Sequence, residues 1–156
     1  MPEIINQPME LTGKAECWLP RSARSPGRAR QLLTNLLARV IDGERFASDG
    51  LTVLTELTLN AVRHGSPGGC LIWVYLDADA DRLLIEVHDA SSAPPEPREP
   101  GPDDEAGRGL ILVNALSAQW GWRPRGDQGI GKITWAVVTS SDGGSVPHQG
   151  EPGGAR

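Results

Sequence analysis

The chain has 156 residues, a formal net charge of −5 and 38% hydrophobic residues, which suits one domain with a single core. The acidic balance excludes a broad nucleic-acid surface, because such a surface needs a basic patch. No apolar run approaches the roughly 18 residues of a membrane span, and the N-terminus lacks the pattern of a signal peptide, so we predict a cytoplasmic protein without membrane contact.

Glycine, proline and cysteine usage predicts how the chain is organised. We expect a flexible N-terminus at residues 1–12, one ordered domain at residues 13–139 and a disordered tail at residues 140–156, because the tail SSDGGSVPHQGEPGGAR has almost nothing to bury. Cys17 and Cys70 lie far apart without a C-x-x-C pattern, which is typical of reduced core residues.

The first predicted elements are a strand and an amphipathic helix. Residues 14–19 (KAECWL) alternate as a short strand does, and Ser25 followed by Pro26 predicts the start of a helix with Ser25 as its N-cap. Arginines crowd residues 21–30; we interpret them as a solvated face, with contact to an acidic partner or a phosphate as the alternative. The helix has one apolar stripe, formed by Leu32, Leu33, Leu36, Leu37, Val40 and Ile41.

Residues 51–65 (LTVLTELTLNAVRHG) predict a central, largely apolar helix that Ser48 or Asp49 caps and that ends at its glycine. Glu56 and Asn60 are four residues apart and therefore share one helix face. This pair has two interpretations. It is either an exposed polar face or a Mg²⁺–nucleotide site in which Asn60 supplies an oxygen to the metal and Glu56 orients or deprotonates a nucleophile.

Two strands and a proline-rich segment follow. Residues 70–77 (CLIWVYLD) and 82–88 (RLLIEVH) predict an antiparallel hairpin in the middle of a covered sheet. Asp89 stands where the second strand ends, so it either starts a turn or accepts a hydrogen bond from the amine of a buried ligand. Residues 93–107 are rich in proline and acidic residues, and we predict that they form a mobile lid.

The C-terminal part of the domain predicts a helix and a second hairpin. Gly107, Arg108 and Gly109 open a helix at residues 110–118; the two glycines either make a flexible entry or let phosphate oxygens approach the backbone N–H groups. Residues 120–123 and 132–139 (KITWAVVT) predict the last two strands around a glycine-rich turn.

Common nucleotide-binding patterns are missing from the sequence. It has no G-x-x-x-x-G-K-[ST] motif, and Leu112 stands where a G-x-G-x-x-G fingerprint needs its third glycine. Neither V-A-I-K nor H-R-D of protein kinases occurs. The three histidines lack the spacing of metal ligands. A P-loop, a dinucleotide fingerprint and a eukaryotic-type kinase core are therefore excluded.

Four ordered segments carry a resemblance to a known family: ELTLNAVRHG, HDASSAPPEP, GRGLILVNALSAQWGW and GKITWAVV. They resemble the N, G1, G2 and last-strand boxes of the Bergerat-fold (GHKL) ATPases, the superfamily of gyrases, heat-shock chaperones, MutL proteins and sensor histidine kinases. The chain is most similar to the stand-alone anti-sigma-factor serine/threonine kinases of actinomycete type. The similarity extends over residues 18–138, nearly all of the predicted domain.

The resemblance implies a fold and a set of roles. The fold is an α/β (α+β) two-layer sandwich, with helices on one face of a mixed, mostly antiparallel sheet. Glu56 would be the general base toward a serine or threonine hydroxyl, Asn60 would bind Mg²⁺, and Asp89 would accept a hydrogen bond from the adenine amine. A further set would contact the nucleotide, most of it holding phosphates under the lid: Gly107, Arg108, Gly109, Leu110 and Thr134.

Two positions depart from the pattern of the superfamily. Many members have a second glycine shortly after the G1 aspartate, whereas Ser91, Ser92 and Ala93 occupy that region here. Relatives often place a threonine directly after the last-strand glycine. This chain has Lys132 there and Thr134 two residues later, on the same strand face.

The implied activity is an ATP- and Mg²⁺-dependent transferase that phosphorylates an anti-sigma-factor antagonist, binds a sigma factor and so regulates transcription. Members of this branch are commonly homodimers. The alternative is a non-catalytic binding module whose partner surface follows nucleotide occupancy. The catalytic fragment of a histidine kinase is a weaker interpretation, because residues 1–20 do not contain the helical hairpin that would carry a phosphoacceptor histidine.

Overall fold

A computed structural model describes residues 9–65, 69–95, 108–126 and 130–140. Within these residues, five strands form one sheet in the order β1-β2-β3-β5-β4, and three α-helices pack on one side of it. In chain order the elements are β1 Gly13–Pro20, α1 Ser25–Leu37, α2 Ala47–Asn60, β2 Leu71–Ala78, β3 Arg82–Asp89, α3 Arg108–Leu116, β4 Gln119–Pro124 and β5 Lys132–Thr139.

The expected two-layer architecture, with helices on one face of the sheet, is confirmed. All pairings between the described strands are antiparallel, so the sheet is more uniform than the mixed one that was expected. The connection between β1 and β2 explains why this pair of strands is antiparallel. The two helices α1 and α2 pack together as a hairpin, which returns the chain to the end of the sheet where β1 finished, so β2 must run in the opposite direction.

The core lies between the sheet and the helices. Alternate strand residues point into it, as the period of two requires, and the central ones on β2 and β3 are fully buried. The facing helix residues are apolar at intervals of three and four. Fully buried side chains on the two layers are Val74, Leu76, Leu83 and Ile85 from the strands, and Leu33, Leu36, Val53 and Leu54 from the helices.

The other face of the sheet carries aromatic side chains. Trp18 and Trp73 stack with their ring centroids 5.9 Å apart. The rings of Trp73 and His88 meet in a T-shaped arrangement with their centroids 4.4 Å apart. Glu86 accepts from His88 at 3.1 Å and from Arg123 at 3.0 Å. His88 is therefore a buried, paired residue on a strand rather than a metal ligand, as expected for a core or rim position.

The start of α1 corrects one prediction. Ser25 does not cap the helix: α1 begins at Ser25 itself, and the preceding Arg24 makes no side-chain cap. The Ser25 hydroxyl is buried and donates to the carbonyl of Pro20. This hydrogen bond fixes the β1–α1 connection. It also pairs a buried hydroxyl, which would cost free energy if it were left without a partner. Beyond the helix end at Leu37, Ile41 is 40% exposed and is not a core residue.

The start of α2 corrects a second prediction about helix capping. Neither Ser48 nor Asp49 caps it; the chain enters α2 at Ala47 directly from a 3₁₀ turn at Gly43–Phe46. The buried Phe46 anchors this turn in the core, so packing rather than a capping hydrogen bond sets the helix start. At its other end α2 gives way at Asn60 to one π-helical turn, Ala61–Gly65, a geometry often found at functional sites.

Predicted strand boundaries agree with the structure within one or two residues, and β5 begins and ends as predicted. Glu10 forms a parallel bridge with Val40. Residues 1–8, most of the predicted lid (96–107) and the tail after Ser140 lie outside the described residues. No helix in the described part of the chain has the length and apolarity to cross a membrane.

Candidate functional site

The polar face of α2 borders a cleft next to the start of α3. Glu56 and Asn60 line this cleft together, as their spacing predicted, and residues about fifty positions later form its opposite wall. The full lining consists of Glu56, Leu59, Asn60, Arg63, His64, Gly109 and Leu110. The fold thus brings two predicted site residues on α2 together with two on α3.

Gly109 lies directly against the carboxylate of Glu56. A Cβ atom built at Gly109 would stand 2.6 Å from Glu56 Oε2, so no larger residue fits while Glu56 keeps this position. The carboxylate is also next to the first turn of α3, where the helix dipole and free N–H groups favour negative charge. The requirement for glycine here follows from close approach to a carboxylate, a reason that the sequence did not reveal.

The charge state of Glu56 is set by its surroundings. Burial raises the pKa of the Glu56 carboxyl above its ordinary value, and the guanidinium of Arg63 opposes this effect. A carboxylate with a raised pKa is a better proton acceptor once it is ionised. The position and basicity of Glu56 both fit a group that removes a proton from a hydroxyl.

Arg21 holds the end of the α2 segment in place. Its Nε donates to the carbonyl of Val62 at 2.6 Å and its Nη2 to the carbonyl of Arg63 at 3.2 Å. Both carbonyls belong to the π-helical turn that ends the α2 segment. Carbonyls at the C-terminal end of a helix lack partners within the helix, and the helix dipole favours a cation there. Arg21 is exposed, as expected if the arginine-rich stretch forms a solvated face, and its guanidinium in addition makes long-range hydrogen bonds to the backbone.

A second polar group lies where β3 ends. Asp89 and Lys132 are cross-strand partners, each with a side chain 2% exposed, and Lys132 Nζ donates to Asp89 Oδ1 at 3.1 Å. The backbone N–H of Ser91 donates to the same oxygen at 2.9 Å, so Asp89 also shapes the turn after β3. Burial raises the pKa of the Asp89 carboxyl, and the Lys132 ammonium opposes that rise.

Thr134 lies two residues after Lys132 on the same strand face, as expected. It is 3% exposed, and its Oγ1 has no hydrogen-bond partner among the described residues. Buried hydroxyls are nearly always paired in proteins, so an unpaired one is a sign of a missing ligand or water. Asp89, Lys132 and Thr134 thus form a small buried polar group at the helix-facing side of the sheet.

Gly131 permits this arrangement. Its φ of +89° is in the left-handed region, and a Cβ atom there would collide with the carbonyl oxygen of Asp89. Only glycine combines this backbone conformation with so close an approach. The glycine-rich turn before β5 therefore serves to bring Lys132 beside Asp89.

The predicted site residues accordingly fall into two groups. Glu56, Asn60, Gly109 and Leu110 line the cleft, whereas Asp89 and Thr134 do not line it and lie with Lys132. Arg108 is the first residue of α3, but its side chain lies outside what the structure describes, as does the whole of Gly107.

Sequence reasoning did not assign a role to Arg63 or to the pairing of Lys132. Arg63 directly follows the polar stripe of α2, and this was the one signal that could have indicated it. Within the described residues, no group of three or more histidine, cysteine, aspartate or glutamate side chains is arranged to hold a metal ion.

Comparison with known proteins identifies the family. A model of the histidine kinase-like ATPase domain matches residues 19–136. Among solved structures, the fold is similar to the RsbU and RsbW domains of Rv1364c from Mycobacterium tuberculosis, with a TM-score of 0.57 and 16% sequence identity. That match covers 82% of this chain but 32% of the other, and identity at this level shows a shared fold. No curated protein matches the sequence. The chain belongs to the histidine kinase-like ATPase family.

Proposed function

We propose that this protein is an ATP-binding serine/threonine kinase of the anti-sigma-factor type. It transfers the γ-phosphate of ATP to a serine or threonine hydroxyl of an anti-sigma-factor antagonist, and it binds a sigma factor in the cytoplasm, so that its activity regulates transcription. A homodimer is part of this proposal. Family membership supports ATP binding; the kinase reaction and its partners rest on the site and on the motif resemblance.

The observation that carries the proposal is the cleft in which Glu56, Asn60 and Gly109 meet. The Glu56 carboxylate accepts the proton of the substrate hydroxyl, and burial favours this by raising its pKa. The Asn60 side-chain oxygen is a hard ligand suited to Mg²⁺, which binds proteins through one or two such oxygens together with substrate phosphates. When bound, Mg·ATP supplies the transferable phosphoryl group and the cation that neutralises its charge.

Three features of the described residues are suited to binding a nucleotide. The N-terminus of α3, with Gly109 in its first turn, offers backbone N–H groups to phosphate oxygens. The buried Thr134 hydroxyl lacks a partner among the described residues, and a base could supply one. Asp89 is the buried acceptor for a base amine.

The experiment that tests the proposal is Glu56→Gln. This change keeps the size of the side chain but removes its basicity, so we expect phosphoryl transfer to fall about 10²–10⁴-fold while Mg·ATP affinity changes little. Transfer is measured with radiolabelled ATP and antagonist proteins encoded near this gene. Asp49→Asn is the matched control, since Asp49 lies in the first turn of the same helix and does not line the cleft.

Three results are distinguishable. Transfer that depends on Glu56 supports the kinase. Nucleotide binding without transfer to any antagonist, together with unchanged partner binding by Glu56→Gln, would instead support a non-catalytic module gated by nucleotide. Calorimetry that detects no binding of Mg·ATP or Mg·ADP would contradict both functions.

A further inference from the structure

The side of the sheet opposite the helices, here called the outer face, carries no second layer in the described part of the chain. The strand register places one row of side chains across all five strands of this face. From edge to edge the row is Trp18, Trp73, His88, Ile133 and Arg123. Trp18, at the β1 edge, is 55% exposed. A large apolar side chain exposed beside other aromatic residues is typical of a binding surface.

The outer face is rich in the side chains that supply most of the binding energy at protein interfaces. Three of the five tryptophans of the chain and its one tyrosine lie on it, namely Trp18, Trp73, Trp135 and Tyr75. The ring centroid of Trp73 is 5.9 Å from those of Trp18 and Tyr75, so these rings form a continuous surface. Gly121 is the cross-strand partner of Trp135 and leaves room for its ring against β4. Tryptophan, tyrosine and arginine are the residues that most often dominate binding.

The two edges of the outer face carry charged residues of opposite sign. Glu16 lies on β1 at one edge and Arg123 on β4 at the other, and both are exposed. Arg123 donates to Glu86 through Nη2, and a guanidinium has five N–H donors, so donors remain for a further partner. Lys14, also at the β1 edge, lies 4.0 Å from Asp77 of its own sheet. An apolar centre with a charged rim is the usual composition of a protein–protein interface.

We propose that the partner of the outer face is the outer face of a second copy of this chain, related to the first by a twofold axis parallel to β3. Such an axis places β1 of each copy over β4 of the other. Residues of one row stay at the same level along the axis, so Trp18 meets Arg123 of the second copy, and Glu16 lies one row from the same guanidinium. A cation–π contact and an ion pair therefore form twice. This inference rests on the homodimer of the proposed function and deepens it by naming the surface.

The outer face is large enough for a stable dimer. Five strands of up to eight residues, spaced by about 4.8 Å with a rise of about 3.3 Å per residue, cover about 24 Å by about 26 Å. Two such faces bury about 1,200 Å² together, which reaches the range of specific stable interfaces. The chain's own residues 141–156 suit this aromatic surface less well, because Val146 is their only large apolar residue. The cleft lies among the helices, so the dimer leaves both clefts open.

The first test is sedimentation velocity of the full chain between about 1 and about 100 μM. We expect a species of twice the mass of one chain. Trp18→Glu should raise the Kd of the dimer at least about a hundredfold, because the symmetry introduces the buried charge twice. Ile41→Glu is the matched control. It gives the same charge to another exposed apolar residue, beyond the end of α1 and not on a strand, and should leave the Kd unchanged.

The second test identifies the axis. Glu16→Arg brings two cations together at the β1–β4 contact, so the Kd should rise at least about tenfold at about 0.05 M salt and less at about 0.5 M. In a protein that already carries Arg123→Gln, the same change should have little effect, because no guanidinium then opposes it. The control is Glu44→Arg, which makes the same change of charge at an exposed position in the 3₁₀ turn before α2.

The outcomes separate this inference from the proposed function. A dimer whose Kd is unchanged in both Trp18→Glu and Glu16→Arg would show that another surface pairs, which overturns the inference and leaves the proposed homodimer standing. A monomer at every concentration would overturn both, since the face would then be covered by another partner or by the chain itself. The kinase reaction is judged separately, because the dimer-deficient variants keep the cleft and should bind Mg·ATP as the unmodified protein does. If Trp18→Glu fails to fold by circular dichroism, Glu16→Arg decides the matter.

Discussion

At the scale of single residues, the charge of Arg63 acts on the Glu56 carboxyl, and its effect on pH dependence has a definite sign. Burial raises the pKa of Glu56 and Arg63 lowers it. Loss of the cation in Arg63→Gln removes a stabilising charge from the carboxylate, so the pKa rises further. The acid limb of the rate profile, which reports protonation of the base, should therefore move to higher pH.

This shift is measured from single-turnover transfer rates between about pH 5 and about pH 8. Arg39→Gln, at an exposed position after α1 that does not line the cleft, is the control and should leave the limb in place. A limb that moves to lower pH in Arg63→Gln, or does not move, would show that Glu56 is not the group that titrates.

Gly109 is predicted to be intolerant of the smallest added side chain. In Gly109→Ala the new Cβ would stand 2.6 Å from Glu56 Oε2, so the carboxylate must shift. A displacement of about 1 Å of a reacting group can cost about a hundredfold in rate, whereas global stability should change by about 1 kcal/mol or less.

The matched control for this change is Gly27→Ala in α1. The nearest atom to a Cβ there is Arg30 Nη2 at 3.7 Å, an ordinary contact, and alanine favours a helix. We expect unchanged transfer and equal or slightly higher stability, measured by urea unfolding. Equal transfer rates in the two variants would mean that the position of Glu56 is not important for the reaction.

At the scale of elements, Arg21 couples the β1–α1 connection to the end of the α2 segment. Arg21→Met removes two donors from the carbonyls of Val62 and Arg63, which should cost about 1–2 kcal/mol. The loss should be local, because the bonds hold one turn. We therefore expect faster amide hydrogen exchange in residues 61–65 and weaker nucleotide binding at the adjoining cleft.

Arg24→Met is the control for that prediction, since the hydrogen bonds described for Arg24 involve its backbone N–H and carbonyl and not its guanidinium. Its exchange rates in residues 61–65 should match those of the unmodified protein. Uniform acceleration throughout α2 in Arg21→Met would argue for a general loss of stability instead of a local anchor.

Local patterns predicted the elements well because each is strongly periodic. The alternation of β5 and the apolar stripe of α1 determine both the element and its buried face. Helix starts were predicted less well. Ser25 and Ser48 are residue types that commonly cap helices, but tertiary contacts set the helix starts here. The Ser25 hydroxyl donates to the carbonyl of Pro20, and Ser48 comes after a 3₁₀ turn that the buried Phe46 anchors.

The site was predictable where it lies along one helix and less so where it depends on strand register. Four-residue spacing placed Glu56 and Asn60 on one face. By contrast, the pairing of Asp89 with Lys132 joins residues 43 positions apart, and it depends on the register of β3 with β5. No local pattern specifies that register, so the buried ion pair could not be derived before the fold was known.

At the scale of the whole molecule, His88 should make stability depend on pH. Burial lowers its pKa below the ordinary value near 6.5, although Glu86 opposes the shift, while Arg123 and Arg125 add to it. The unfolded chain therefore takes up a proton first as pH falls. The stability due to neutral His88 is present above the unfolded pKa and is lost as pH falls through the lower folded pKa.

Comparison with His88→Asn measures this contribution. Unfolding by urea at about pH 8 and about pH 5 should show a smaller loss of stability toward acid in the variant than in the unmodified protein. His64→Asn, at an exposed histidine on the cleft rim, should keep the full loss. A variant that retains the same pH dependence would show that His88 does not contribute.

The strands β3 and β5 are neighbours in the sheet, although a long segment of the chain separates them. The polypeptide leaves β3 at Asp89 and reaches the neighbouring strand β5 at Lys132, the direct cross-strand partner of Asp89. Residues 90–131, which include α3 and the edge strand β4, therefore connect two positions that lie side by side. Lengthening such a connection costs little free energy of folding, about 0.6 kcal/mol for each doubling of its length. It also does not require a change in the register of β3 with β5. A fluorescent reporter spliced between positions 96 and 107 should therefore leave the scaffold intact, which makes this small domain a natural starting point for a genetically encoded nucleotide sensor.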